Sequence, residues 1–177
     1  MSDRIDHGSD PRQHPELLAW LNERAATFER WSQSTGIVED LDFSDASLET
    51  LEDLVRSRYE THEQVSEART GEFIQGAVWY IGELLRQRFG MVWGYEPCRP
   101  VEGTSPALFT EPGEWVTETP FVVAPAKLPD HDGEAWYPMG SLLSLYVGED
   151  DYGHPVEEHL LDMIGTIEDE IDDEYND

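Results

Sequence analysis

The stretch that most constrains this chain is residues 71–95, GEFIQGAVWYIGELLRQRFGMVWGY, which reads as a long apolar helix, a glycine stop and an aromatic strand. Ile74, Ala77, Val78, Ile81, Leu84 and Leu85 recur at three- and four-residue spacing, with Phe73 and Tyr80 widening the stripe. Most of one helix surface is therefore available for burial. Gly82 falls inside the helix at a cost of about 1 kcal/mol relative to alanine, which predicts another backbone passing close to it. Gly90 is expected to end the helix in the left-handed conformation, with Arg86 and Arg88 near the negative end of the dipole. Beyond it, Met91, Trp93 and Tyr95 would face one side of a strand and Val92 and Gly94 the other.

The flanking segments supply partners for this unit. Residues 1–14 are polar and read as a flexible leader. Pro15 opens a helix whose apolar face is Leu17, Leu18, Leu21, Ala25, Phe28 and Trp31, widened by Trp20 and ending near Gly36. Residues 37–43 read as a short strand or extended link. Ser44 is placed to cap the next helix, with Phe43 and Leu48 as a hydrophobic staple and Asp45 and Glu49 at the positive end of the dipole. Leu48, Leu51, Leu54, Val55 and Tyr59 form its buried stripe. The organising helix begins near Glu63 or after Gly71.

Between residues 96 and 129 the texture changes, because seven prolines (Pro97, Pro100, Pro106, Pro112, Pro120, Pro125 and Pro129) punctuate short β-like pieces. Residues 107–110, 115–119 and 121–123 are the expected strands, with Pro120 at a strand start or edge, so a small antiparallel sheet is predicted. Pro138 leads into a short helix carrying Met139, Leu142, Leu143 and Tyr146. From Gly153, His154 and Pro155 onward, Val156, Leu160, Met163, Ile164, Ile167 and Ile171 share one face of an amphipathic helix. The expected fold class is α+β, with helices packed on one side of a small antiparallel sheet and a C-terminal amphipathic acidic helix. Residues 15–171 form one domain, followed by an acidic tail at 172–177.

Charge limits what such a domain can bind. The formal net charge is −28, and a single lysine, Lys127, stands beside ten arginines. Phosphates of nucleic acid and anionic lipid are repelled by this surface, whereas a basic partner is attracted. Salt adaptation would produce the same acidity. No basic region followed by an apolar segment marks the N-terminus, and no run of about eighteen apolar residues occurs. A soluble, cytoplasmic protein is expected, and the lone Cys98 excludes an internal disulfide.

Chemical motifs are weak. Asp130 and Asp132 have the first spacing of an EF-hand calcium loop, yet Ala135 stands where the turn needs glycine and Ser141 where a bidentate glutamate belongs. His154 and His159 are five apart, not the four that places two zinc ligands on one helix face. Cys98 has only Arg99 beside it, so it reads as a loop thiol. Glu83 could serve proton transfer if buried, but Arg86 lies three residues on as an ordinary helical ion-pair partner. Trp79, Trp93, Trp115 and Trp136 read as core before they read as a pocket lining. No catalytic residue, metal site or cofactor is therefore expected.

The C-terminal segment differs in degree. Residues 149–177 carry thirteen acids and no lysine or arginine. Acids in the last turns of a helix oppose its dipole, so that end should fray unless something cationic meets it. Glu149, Asp150, Asp151, Glu157, Glu158, Asp162, Glu168, Asp169, Asp172 and Asp173 are accordingly the candidate partner-binding residues.

LDFSDASLETLEDLV at 41–55, followed by GAVWYIGELLRQRFGMVW at 76–93, resembles a pattern in small uncharacterised bacterial α+β domains. There an LDYS-like segment and capped helix precede a GxYxGE helix and a Gly-x-x-Trp strand; this chain has Trp79-Tyr80 where one aromatic is usual. Some of those domains are similar to immunity proteins encoded beside toxins, and the resemblance implies a binding module without catalytic residues. The leading expectation is a non-enzymatic acidic protein that neutralises a basic partner, for example a cognate toxin. The alternatives are a DNA mimic occupying a DNA-binding protein, and a small-molecule enzyme with Glu83 near an aromatic pocket behind Trp93 and Trp115.

Overall fold

The computed structural model describes residues 10–96, 108–109, 118–125, 135–146 and 158–175, the last eight of these as backbone only. Six α-helices and a two-stranded antiparallel sheet occur among the described residues, an α+β arrangement dominated by helix. The helices are α1 (Pro15–Thr35), α2 (Asp45–Arg58), α3 (His62–Glu67), α4 (Glu72–Phe89), α5 (Pro138–Ser144) and α6 (Leu160–Tyr175). The strands are β1 (Val92–Gly94) and β2 (Phe121–Val123). No described helix is long and apolar enough to cross a membrane.

Helix α4 lies at the centre. It begins after Gly71, and Gly90 ends it at φ 67°, its N–H donating to the Arg86 carbonyl. Every residue from 76 to 85 is buried, so the helix is enclosed on all sides. Helices α1 and α5 and both strands pack around it. Two glycines admit indole rings to its surface. A Cβ on Gly76 would lie 2.2 Å from Trp31 Nε1, and one on Gly82 would lie 2.0 Å from Trp93 Cη2. The close neighbour of Gly82 is thus a side chain, where a backbone was expected. Its indole reaches the helix because β1 follows the glycine stop directly and turns Trp93 inward.

Residues β1 and β2 pair with Trp93 opposite Val122 and Gly94 opposite Phe121. Val122 also exchanges both backbone hydrogen bonds with Trp136, at 2.8 and 2.9 Å. Pro120 immediately precedes β2, where its missing N–H costs no ladder bond. Of the other expected strands, Leu108 and Phe109 instead form a turn, with Phe109 at φ 65°, and Glu118 and Thr119 lie outside any strand. The Phe109 N–H donates to the Glu118 carbonyl at 3.1 Å. The remaining residues of 107–110 and 115–119 lie outside the described residues.

Four further expectations shift. In α1 the buried positions are Leu17, Trp20, Arg24, Trp31, Ser32 and Thr35, whereas Leu18 and Ala25 point outward. Positions 17, 20, 24 and 31 follow the three- and four-residue rhythm, and Leu18 and Ala25 fall one position off it. Residues 37–43 are not extended but contain a 3-10 turn at Val38–Asp40, favoured by Thr35 Oγ1 accepting the Ile37 N–H at 3.2 Å. The C-terminal helix starts at Leu160, with Glu158 and His159 non-helical before it, later than the GHP segment suggested. At the other end, Pro11–Gln13 forms a 3-10 turn and His14 is buried edge-on against Tyr95. The packed region therefore includes residues assigned to the leader.

Ser44 caps α2 as anticipated, its hydroxyl accepting the Ser47 N–H. Just before it, Phe43 holds φ 62°, a conformation that costs an L-residue roughly 1–2 kcal/mol. Tyr80 fixes it there. The rings stack with centroids 4.5 Å apart, the Tyr80 oxygen accepts the Phe43 N–H at 2.7 Å, and its O–H donates to Ser47 Oγ at 2.6 Å. Tyr80→Phe keeps the stack but strands the Phe43 N–H, and should lower unfolding free energy by about 1–3 kcal/mol. Urea denaturation reads this directly, and an unchanged midpoint would show that the hydroxyl does not hold the bend.

Candidate functional site

Several acids meet where α2 approaches the start of α6. Glu49, Glu52 and Asp53 are spaced i, i+3, i+4, so one face of α2 carries all three. Glu49 and Asp53 are exposed, whereas Glu52 is buried. Together with His159, Leu161 and Asp162 they line an open cleft of about 440 Å³.

Glu52 is the hub of this junction. One carboxylate oxygen accepts from Arg56 Nε at 2.9 Å and lies 2.8 Å from His159 Nδ1, while the other accepts the Leu160 N–H at 2.9 Å. A carboxylate from α2 thus satisfies an orphan donor in the first turn of α6 and complements its positive end. Arg56 completes the clasp by donating to the carbonyls of Leu145 (3.0 Å) and Glu158 (2.9 Å). Its guanidinium also lies 5.6 Å from the Tyr146 ring centroid.

These bonds set opposing titrations. Burial pushes the Glu52 carboxyl up, but the Leu160 N–H, Arg56 and His159 together outweigh it and leave it below its ordinary 4.5. Hydrogen bonding to Glu52, then its charge, holds His159 above its ordinary 6.5. The Glu52 contribution is present above 4.5 and lost as pH falls through its depressed folded value; the His159 contribution is present below 6.5 and lost as pH rises through its raised one. Attachment of α6 should therefore be firmest between those limits. Hydrogen exchange at the α6 amides should quicken from pH 6 to pH 8 beyond the intrinsic rate increase, and His159→Gln should remove that excess.

Of the residues expected to bind a partner, Asp162 lies on the cleft and Glu158 is half-buried beside it. Glu168, Asp169, Asp172 and Asp173 fall within α6, but their side chains lie outside the described set. Glu149, Asp150, Asp151 and Glu157 also lie outside the described residues, as do Cys98, Trp115, Asp130, Asp132 and His154. Glu49, Glu52 and Asp53, which also line the cleft, are not among the residues expected to bind a partner. Their sequence signal is the triplet spacing on a well-capped helix. Among the described residues no three His, Cys, Asp or Glu side chains are grouped to hold a metal.

A second groove, of about 480 Å³, runs beside Trp79, Met91 and Trp93 and includes Glu83. Both Glu83 oxygens are engaged: Arg86 donates to them at 2.9–3.1 Å and Trp93 Nε1 donates to Oε1 at 2.8 Å. This carboxylate clasps β1 to α4, with the ordinary helical partner that the sequence suggested.

Comparison with known proteins brings no relative to bear: no family model, curated protein or solved structure matches the chain.

Proposed function

We propose that the chain is a non-enzymatic acidic binding protein that neutralises a basic protein partner, in the manner of an immunity protein acting on a cognate toxin. The supporting observation is that the exposed acids Glu49, Asp53 and Asp162 line one cleft, in a molecule of net charge −28. Carboxylates on a concave wall focus the field and steer a cationic surface to productive encounter. The open cleft, about 440 Å³, admits a cationic side chain. On this reading the helices packed on one side of the sheet are scaffold, and the setting is the cytoplasm.

The partner must also bring its own apolar anchors. Every tryptophan, tyrosine and phenylalanine whose side chain is described is buried or half-buried, so these rings do not offer the aromatic contacts that usually dominate interface affinity. Charge then governs the association rate. The partner captured from the native cell should bind with a rate constant that falls steeply as salt rises. Combined Glu49→Gln, Asp53→Asn and Asp162→Asn substitutions should slow association by about tenfold or more. A salt-insensitive complex, or an unchanged rate in the triple variant, would remove this reading.

A further inference from the structure

Cations are scarce in this chain, and most of those described are committed to acids. Arg12 pairs with Asp10, Arg56 with Glu52, Arg86 with Glu83 and Arg88 with Asp45. Arg24 is different. It is 5% exposed and gives Nη2 to the exposed Glu23 at 2.8 Å. Among the described residues its Nε is the buried side-chain polar atom left without a partner. A buried guanidinium with an unmet N–H is costly, and an anion held beside it would lower that cost.

Arg24 lines a cleft of about 180 Å³ between α1 and the start of α4, together with Thr27, Arg30, Trp31, Ser34 and Glu72. The hydroxyls there already donate to helix carbonyls, Thr27 to Glu23 and Ser34 to Trp31. The Trp31 indole N–H is turned to the Phe73 carbonyl. Donors for a ligand are therefore the two guanidiniums. Arg30 is largely exposed and meets Glu72 at 3.5 Å, a long contact that a better-placed anion can displace.

We propose that this cleft binds a small carboxylate monoanion bridging Arg24 and Arg30. The guanidinium fork matches two carboxylate oxygens, and Trp31 offers an aromatic wall to a short carbon chain. The field of a −28 molecule opposes every negative charge brought to it, so a monoanion is favoured over a phosphate dianion. Glu72 acts as a resident competitor for Arg30.

Propionate titrated at constant ionic strength into the full, nitrogen-labelled chain tests this by NMR at the Trp31 indole N–H and the Arg24 Nε–H. Saturable shifts are expected, with chloride producing none. Arg30→Gln should weaken binding by about tenfold or more, Glu72→Gln should tighten it several-fold, and inorganic phosphate should bind less tightly than propionate. Arg30 and Glu72 are both exposed, so these variants should fold even if changes at Arg24 do not. Unsaturable shifts, or affinity indifferent to Arg30→Gln, would overturn the site. Tighter binding of phosphate would overturn its assignment to a carboxylate.

Discussion

Gly82→Ala is expected to destabilise the protein by about 1–3 kcal/mol although it places the best helix former in the middle of a helix. On propensity alone the change would stabilise by about 1 kcal/mol. The added Cβ, however, would sit 2.0 and 2.1 Å from two atoms of the Trp93 ring, and neither side can yield cheaply. Trp93 is 6% exposed, packs edge-on against Trp20 with centroids 5.6 Å apart, and is tethered by its N–H to Glu83. Overpacking of this kind costs about 1–3 kcal/mol, and displacing the indole also forfeits a buried hydrogen bond of about 1 kcal/mol or more. Gly165 gives the control. It lies inside α6, and a Cβ there meets nothing within 4 Å, so Gly165→Ala should stabilise by up to about 1 kcal/mol. Chemical denaturation of the two variants should move the midpoint in opposite directions. A Gly82→Ala protein as stable as the parent would mean that the indole does not occupy that seat.

The end of α4 and the start of α2 were legible in the sequence because their causes are local. Gly90 ends α4 and Ser44 starts α2 through groups within four residues of themselves, and Pro120 marks the start of β2 through its own missing N–H. Arg24 was not legible. Nothing within its own helix distinguishes a buried arginine from an exposed one, and the apolar Leu18 and Ala25 drew the predicted face away from it. Glu52 was hidden for a related reason. Its nearest sequence partner, Arg56, is the ordinary helical pairing, while the bonds that bury it come from His159 and Leu160, more than a hundred residues away. The acidic C-terminal segment was visible as charge, but the acids of α2 that join Asp162 across the cleft became apparent only from the tertiary packing.

Glu52→Ala should cost about 3 kcal/mol and should release α6 before the rest of the chain unfolds. Removing one member of a buried, hydrogen-bonded ion pair typically costs about 3–5 kcal/mol, and Arg56 is 30% exposed, so water offsets part of the loss. The remaining cost falls on particular groups. The Leu160 N–H loses its acceptor inside the protein, His159 loses the carboxylate that holds its proton, and Arg56 retains only the Leu145 and Glu158 carbonyls. Two of those losses lie at the N-terminus of α6, which is where a helix rich in acids at its other end most needs support. Apolar burial of Leu160, Ile164 and Ile167 would then be the principal tie holding α6 to the core. Hydrogen exchange should show α6 amides losing protection at denaturant concentrations where α4 amides remain protected. Glu52→Gln separates charge from hydrogen bonding: it can still accept the Leu160 N–H, so it should recover part of the stability and lose the pH dependence tied to His159. Simultaneous loss of protection in α4 and α6, with Glu52→Ala no less stable than the parent, would show that α6 is held by its apolar face alone.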